Sequence, residues 1–298
     1  MRVVKQYKKE ISKRKRKEER RAYLFLMPSL LGVGVFVLLP FLDAIYRSMK
    51  DTMGKNFVGI KNYSTVIQNE AFLLAGKNTG RFLLVCIPLL LVTSLALSVV
   101  IYGQKKYQGF FKTTFLIPMA IPVAAVVLLW KIIFHKNGLI NAFLTLTGNK
   151  SILWMNSGYA FGVLVFSYIW KNMGYNMVLW LAGLSGISGT LYEAASLDGA
   201  KRYQKFRYIT FPLLLPSVFM ISVLSLVNSF KVFREAYLIA GNYPDKSIYM
   251  IQHLFNNWFV NLEISKMCAA AVLFVIIIMG FVGMIHKITS KGDQEGGY

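Results

Sequence analysis

The chain has 298 residues, of which 55% are hydrophobic and 16% are charged. A soluble domain carries about 25% charged residues, and the apolar residues here fall into runs of about 20, which excludes an ordinary soluble protein. The formal net charge of +21 is typical either of a nucleic-acid-binding protein or of a membrane protein with basic loops on one side.

The apolar runs predict transmembrane helices, because a helix of about 20 apolar residues crosses the hydrocarbon core of a bilayer. No ten-residue alternation of the kind found in membrane strands is present. The sequence therefore predicts an all-α integral membrane protein with six spans in one bundle. The predicted spans are 22–46, 82–102, 115–134, 159–184, 213–240 and 266–285.

The distribution of Lys and Arg among the loops predicts the topology. Twenty of these residues lie in the N-terminal tail, in the loops after spans two and four, and in the C-terminal tail, against nine in the remaining loops. Positive residues stay on the cytoplasmic side, so we predict that both termini are cytoplasmic. This pattern argues against a nucleic-acid partner. For the basic N-terminal tail it leaves two interpretations, contact with anionic membrane lipid and the solvated start of a helix.

The spans follow one another without a repeat, a long linker or a low-complexity segment. We therefore predict one transmembrane domain, residues 22–286, between a basic cytoplasmic tail, 1–21, and a second cytoplasmic tail, 287–298. Within this domain, Pro118 and Pro122 predict a bend at the start of span three, because proline lacks an N–H group and clashes with the preceding turn of a helix.

Span four carries polar groups in the middle of its apolar run. Lys171 lies near the predicted bilayer centre, where a lysine is unfavourable by about 2.5–3.5 kcal/mol unless it faces water or a partner. Gly174 follows one turn later and is expected to loosen the helix.

One interpretation of these polar groups is a solute path between spans four and five. Its candidate residues are Trp170, Lys171, Tyr175 and Asn176 in span four and Asn228 in span five. Trp170 offers an aromatic face that stacks on sugar rings, and the others offer hydrogen bonds. The alternative is that these residues contact another protein chain, or that Lys171 extends to the membrane surface.

The motifs of several enzyme and nucleotide-binding classes are absent from the sequence. There is no H-E-x-x-H, C-x-x-C, G-x-S-x-G or P-loop motif, so we predict no catalytic residue and no metal site on this chain. The carboxylates within the spans are Asp43 and Glu235, both predicted near outer ends, which does not indicate a proton- or sodium-coupled carrier. If the chain transports a solute, its energy source is expected on another polypeptide.

The segment 185–212 is a polar loop between spans four and five, predicted to be cytoplasmic. "TLYEAASL" predicts a short helix capped by Thr190, with Glu193 in its first turn. Gly199 predicts a tight turn, and "KRYQKFRYI" predicts a second short helix with Tyr203 or Phe206 facing inward. Two interpretations remain open at this point, a docking surface for another protein and an amphipathic segment lying on the lipid surface.

The polar loop also closely resembles the EAA loop of binding-protein-dependent ABC importer permeases, in which E-A-A-x-x-D-G-A is followed by F-x-x-I-x-x-P. The matching residues are Glu193, Ala194, Ala195, Asp198, Gly199, Ala200, Phe206, Ile209 and Pro212. Other segments resemble the maltose and glycerol-phosphate type within that family. They include "FVGIKNY" (57–63), "NT" (78–79), "FLIPMAIP" (115–122) and "GLIN" (138–141).

The resemblance implies a six-helix transmembrane bundle of the type I ABC importer permease kind in the plasma membrane of a bacterium. It implies a non-catalytic subunit that pairs with a second permease subunit and two ATPase subunits, and that receives a carbohydrate from an extracellular solute-binding protein. ATP and magnesium are then expected on the ATPase, with no cofactor on this chain. The residues implied in ATPase coupling are Glu193, Ala194, Ala195, Asp198, Gly199, Ala200 and Phe206.

One segment departs from the family pattern. "LIAGNYP" (238–244) stands where the family often has L-T-x-G-G-P, so the sequence leaves the contact with the binding protein and the identity of the solute open. Alternatives to carbohydrate import are the same machinery for another polar solute, a stand-alone secondary transporter or channel, and an intramembrane enzyme.

Overall fold

The computed structural model describes residues 2–295, which form helices joined by loops and no β-strand. Met1 and residues 296–298, at the ends of the two predicted tails, lie outside the described residues. The all-α prediction is confirmed for the described chain. The helices are α1 Arg2–Val33, α2 Leu39–Ser48, α3 Lys61–Ile67, α4 Glu70–Tyr102, α5 Gln108–Ala120, α6 Val123–Ile133, α7 Leu139–Leu146, α8 Ala160–Ser185, α9 Gly189–Leu197, α10 Arg202–Lys205, α11 Phe211–Leu213, α12 Leu215–Ser229, α13 Phe233–Ala240, α14 Ile251–Val260 and α15 Ile264–Glu295.

Short non-α turns connect several of these helices. Gly34–Leu38 and Phe206–Thr210 are π-helical and continue the helices on either side of them. The stretches Lys105–Tyr107, Trp154–Asn156 and Phe230–Val232 are 3₁₀-helical.

Four helical stretches in the described chain are long and apolar enough to cross a membrane, namely Glu19–Ser48, Glu70–Tyr102, Leu215–Leu238 and Ile264–Ser290. A fifth is obtained if α5 and α6 count as one broken span. The predicted span 159–184 corresponds to α8, whose 26 residues extend for about 39 Å at 1.5 Å per residue. Helix α8 is therefore long enough to span a bilayer, but it is more polar than the other four stretches.

The bend predicted from Pro118 and Pro122 in the span 115–134 is confirmed, and it is a full break between two helices. Helix α5 ends at Ala120, α6 begins at Val123, and the two helices are bent by 88°. Ile121 between them is extended, with φ −69° and ψ 129°, because the ring of Pro122 disfavours helical geometry in the residue before it. Pro118 remains inside α5, so Pro122 marks the break.

Two other predicted span starts also differ from the structure. Helix α4 begins at Glu70, well before residue 82, because the side chain of Asn69 accepts a hydrogen bond from the Phe72 N–H and caps the helix there. Leu213, the predicted start of span five, lies in the short helix α11, and the long apolar helix begins at Leu215.

The described chain divides into two compact units. The first comprises the residues up to Val66 together with Glu263–Leu273. In this unit the side-chain amide of Asn62 donates to the carbonyl oxygens of Ser48 and Lys50, at 2.8 and 2.7 Å. Gly59 precedes α3 with a positive φ of 58°, which sets the turn in "FVGIKNY".

The second unit comprises Ile67–Leu262 and the rest of α15 from Phe274. Helices α4 and α8 pack along each other at its centre, around the buried side chains of Phe82, Leu90 and Tyr168. Polar side chains join the two helices further along, where the Trp180 indole donates to Ser94 Oγ at 3.0 Å. This packing fixes α8, which carries most of the candidate solute-path residues.

Buried asparagines fix the loops of the second unit. The Asn78 amide donates to the carbonyl oxygens of Lys246 and Tyr249 at 2.6 and 2.9 Å. The Asn141 amide donates to three loop carbonyls, those of His135, Lys136 and Ile152. Each amide bonds to backbone carbonyl groups from more than one point of a loop, so these residues of the family-like segments hold the loop backbone in place.

Helix α14 carries a buried histidine at its start. The Nδ1 atom of His253 accepts a hydrogen bond from the Met250 N–H at 3.2 Å, and its ring contacts Phe233 and Tyr249. Burial lowers the pKa of His253 to about 4, because the charged imidazolium loses its hydration. The ring is therefore neutral at neutral pH.

Gly174 allows α8 to approach the backbone of α5. A Cβ atom at this position would collide with the carbonyl oxygen of Phe115, and α8 continues unbroken through the glycine. The expectation that Gly174 loosens the helix is therefore wrong. The missing side chain instead lets two helices pack at close range.

We expect Gly174→Ala to destabilise the protein by about 1–3 kcal/mol, because the new methyl group must push α5 away from α8. Gly162→Ala is the matched control, since Gly162 lies in the same helix and a Cβ there meets no atom within 4 Å. Thermal unfolding of the purified protein in detergent checks the prediction. Equal melting temperatures for the two variants would contradict it.

Candidate functional site

The polar loop 185–212 folds into two short helices. Its first helix, α9, starts at Gly189, and the hydroxyl of Ser188 accepts a hydrogen bond from the Thr190 N–H at 3.3 Å. The cap is thus Ser188, and the prediction of Thr190 is wrong by two residues. Because the helix starts earlier than predicted, Glu193 lies in its second turn and not in its first.

The face of α9 that carries the acidic residue is open to a partner. Glu193, Ala194 and Asp198 are exposed, whereas Ala195 and Ala200 are half-buried. Within the described residues, the Glu193 carboxylate makes no hydrogen bond or ion pair. Its charge is therefore available to another molecule.

Gly199 ends α9 in a left-handed conformation with φ 74°. This conformation is unfavourable for residues with a side chain, and it lets the Ala200 N–H donate to the Ala195 carbonyl at 2.9 Å. No atom lies within 4 Å of a Cβ added at Gly199, so backbone conformation and not space selects glycine. The predicted tight turn is confirmed.

The second helix of the polar loop is shorter than predicted, since α10 ends at Lys205 and a π-helical turn follows. Phe206 is half-buried and lines a cavity of about 270 Å³ with Tyr192, whereas Tyr203 is 73% exposed. Lys205 Nζ donates to Ser196 Oγ at 2.6 Å. These contacts hold the two short helices together as one structured element.

An ion pair joins α8 to α13. Lys171 Nζ lies 2.9 Å from Glu235 Oε1, and the two side chains are only 15% and 5% exposed. Ser167 Oγ donates to the other carboxylate oxygen of Glu235 at 2.8 Å, and the Trp130 indole N–H donates to Ser167 Oγ at 2.7 Å. The charge of Lys171 is thus compensated within the chain.

A cavity of about 350 Å³ opens beside this ion pair. Side chains of α8, α12 and α13 and the break between α5 and α6 line it. Its polar and charged lining residues are Lys171, Asn172, Asn228, Lys231, Arg234 and Glu235, with Tyr168 beside them. Lys231 Nζ donates to Asn228 Oδ1 at 2.7 Å.

The candidate solute-path residues divide between this cavity and the protein interior. Lys171 and Asn228 line the cavity. Trp170 packs against Trp130 with ring centroids 5.3 Å apart, and Asn176 is buried with its amide donating to Ser225 Oγ at 2.8 Å. Tyr175 is half-buried, and neither it nor Trp170 nor Asn176 lines the cavity.

Sequence reasoning missed Glu235, Ser167 and Trp130 as partners of Lys171, and it did not single out Arg234 for the solute path. One signal was present, because two opposite charges within adjacent apolar spans are expected to pair. The assignment of Glu235 to an outer end concealed that signal.

A metal centre is not indicated. No group of three or more His, Cys, Asp or Glu side chains comes together among residues 2–295 in a way that could hold a metal ion. Cys86 and Cys268 are free thiols and both are buried.

Comparison with known proteins gives consistent results. Residues 91–288 match the family described as "Binding-protein-dependent transport system inner membrane component". The chain is 30% identical to the probable starch degradation products transport system permease protein AmyD of Thermoanaerobacterium thermosulfurigenes, over 92% of this chain and 95% of that protein. It is 29% identical to the trehalose/maltose transport system permease protein MalF of Thermococcus litoralis, over 93% of this chain and 96% of that protein.

Solved structures share the fold. One of them is a chain of a bacterial alginate ABC transporter in complex with an alginate pentasaccharide-bound periplasmic protein. It superimposes with a TM-score of 0.77 at 21% sequence identity, covering 92% of this chain and 96% of that chain.

We expect that removing one partner of the ion pair destabilises the protein more than removing both. Lys171→Met or Glu235→Gln leaves a buried group without its partner, and such single changes cost about 3–5 kcal/mol. The double variant removes both charges and should recover part of that loss. Melting temperatures of the three variants in detergent check this, and a double variant that loses the sum of the two single losses would contradict it.

Proposed function

Because this chain belongs to the family of binding-protein-dependent transport system inner membrane components, we propose that it is the transmembrane permease subunit of an ATP-driven importer of a carbohydrate. The observation that carries the proposal is the structured polar loop with its exposed, unpaired Glu193, which lies inside the matched region. Both relatives are named for carbohydrate transport, which supports a carbohydrate as the solute. Family membership argues against a stand-alone carrier or an intramembrane enzyme.

The proposed topology has six crossings, with both termini and the polar loop in the cytoplasm. Helices α5 and α6 together form the third crossing and α8 forms the fourth. The excess of Lys and Arg in the tails and in the loops after spans two and four supports this orientation. The ion pair of α8 supports its place in the membrane, since it compensates a lysine that would otherwise be unfavourable there.

In the proposed assembly, a second permease subunit, two ATPase subunits and an extracellular solute-binding protein join this chain. The ATPase subunits bind ATP and magnesium, and this chain needs no cofactor. Helix α9 acts as the coupling element, with Glu193 accepting hydrogen bonds from the ATPase and Gly199 setting the angle between the two short helices. The exposed position of Glu193 and the left-handed Gly199 support these roles.

The solute path runs beside the ion pair, through the cavity that Lys171 and Asn228 line. Trp170, Tyr175 and Asn176 shape this path from α8, the first through its contact with Trp130 and the last through its bond to Ser225. Polar groups in a water-filled cavity between helices are the usual means of passing a hydrophilic solute through a bundle.

The topology predicts which positions are accessible in intact cells. We expect a cysteine at Asn149 to react with a membrane-impermeant maleimide and a cysteine at Lys201 to react only after the membrane is opened. Both positions are exposed, and the natural Cys86 and Cys268 are buried and give little background. Labelling at residue 201 but not at residue 149 in intact cells would show that the chain has the opposite orientation.

The coupling role predicts that Glu193→Ala abolishes uptake without removing the protein from the membrane, because losing a charge-assisted hydrogen bond costs about 1.5–3 kcal/mol at the ATPase interface. Gly199→Val should have the same effect, since a β-branched residue in a left-handed conformation costs about 1–3 kcal/mol.

Gly189→Val is the matched control, because Gly189 begins the helix α9 that Gly199 follows, has no positive φ and has no atom within 4 Å of an added Cβ. Uptake and binding-protein-stimulated ATP hydrolysis are measured in the reconstituted importer. Normal values of both in Glu193→Ala and Gly199→Val would show that the polar loop does not couple the ATPase to transport.

A further inference from the structure

The cavity beside the Lys171–Glu235 pair carries an excess of positive charge. Three cations line it, Lys171, Lys231 and Arg234, against one carboxylate, that of Glu235. The carboxylate is already occupied by Lys171 Nζ at 2.9 Å and by the hydroxyl of Ser167 at 2.8 Å. Lys231 and Arg234 therefore remain as uncompensated charges at the cavity wall.

Both remaining cations keep donors that a ligand can use. Lys231 and Arg234 are exposed, and Lys231 uses one of its three N–H donors on Asn228 Oδ1. The Arg234 guanidinium makes no hydrogen bond or ion pair within the described part of the chain. The side-chain NH2 group of Asn228 likewise has no acceptor in the described part of the chain, so it is free to donate to a hydroxyl group.

Lys231 and Arg234 are not ordinary surface charges in water, because they lie within an apolar helix. Lys231 and the start of α13 belong to the apolar stretch Leu215–Leu238, where charged side chains are unfavourable unless they face water or a partner. Low-dielectric walls also strengthen the attraction of a cavity for a ligand of opposite charge. The start of α6, which has no side-chain cap, lines the same cavity and adds the positive end of its helix dipole.

A second cavity also carries positive charge, and it adds aromatic surface. It has a volume of about 330 Å³ and is lined by Trp130 and Trp154 together with Lys131, His135 and Lys136, and no carboxylate is among its lining residues. Trp130 connects the two cavities, because its indole N–H donates to Ser167, which in turn donates to Glu235. Aromatic rings beside cations suit a sugar ring that carries a negative group.

We propose that the carbohydrate carried by this importer bears an anionic group, a carboxylate or a phosphate, which binds Lys231 and Arg234 as it passes the Lys171–Glu235 pair. The planar guanidinium of Arg234 matches two oxygens of either group, Lys231 supplies a point charge, and Asn228 binds a sugar hydroxyl. The inference rests on the proposed function and adds the class of its solute.

The complete importer tests the inference, reconstituted in proteoliposomes with its partner permease, its ATPase and its binding protein. Three radiolabelled probes are compared, namely digalacturonate, glucose 6-phosphate and maltose. We expect ATP-dependent uptake of one anionic probe to exceed that of maltose at least about tenfold, and the preferred anion tells carboxylate from phosphate. Maltose uptake equal to or above that of both anions would overturn the inference and leave the importer role intact.

Variants that remove a charge then test whether Lys231 and Arg234 bind the anionic group. We expect Lys231→Gln and Arg234→Gln each to raise the KM for the anionic probe about tenfold or more, as the loss of a charge-assisted hydrogen bond implies, while the loaded binding protein still stimulates ATP hydrolysis. Arg234→Lys should retain more affinity than Arg234→Gln. Lys287→Gln is the matched control, because Lys287 is exposed and lies outside the cavity.

The outcomes separate the two proposals. A wild-type KM for the anion in both Gln variants would overturn the assignment of the cavity. A reconstituted complex that imports neither charged nor neutral carbohydrate in the presence of ATP would contradict the proposed function, and the inference would fall with it.

Discussion

The pairing of Lys171 with Glu235 is the contact on which the arrangement of the transmembrane helices depends. Each charge is unfavourable in an apolar bundle without the other, so the pair fixes α8 against α13. Ser167 and Trp130 extend this network to α6, which lies beyond the break at Pro122. Because Glu235 is occupied by Lys171, the remaining positive charge at the cavity wall comes from Lys231 and Arg234.

Features set by short-range geometry were predictable from the sequence. Hydropathy gave helices for every apolar run, Pro118 and Pro122 predicted a bend whose full size is 88°, and Gly199 predicted a turn that has φ 74°. Features set by long-range contacts were not predictable from the sequence. Glu235 lies 64 residues from its partner Lys171, and the role of Gly174 depends on the backbone of Phe115 in another helix.

The candidate site divides in the same way. The residues of the polar loop lie close together in the sequence, so their spacing shows that they share one element. The solute-path residues lie on α8 and α12, and the sequence does not say which face of each helix meets its neighbour. Trp170 and Asn176 therefore carry suitable chemical groups but pack against Trp130 and Ser225, whereas Arg234, which was not singled out, lines the cavity.

His253 makes the stability of the segment around α14 sensitive to acid. In an unfolded chain its pKa is about 6.5, whereas in the folded chain burial lowers it to about 4. Between these values the unfolded state binds the additional proton, so the stability contributed by the neutral ring is complete above about pH 6.5 and is lost as the pH falls towards 4. A cell controls the pH of its cytoplasm but not the pH of the surrounding medium. In the proposed topology α14 faces that medium, so the stability that the neutral His253 ring contributes falls as the medium becomes acidic.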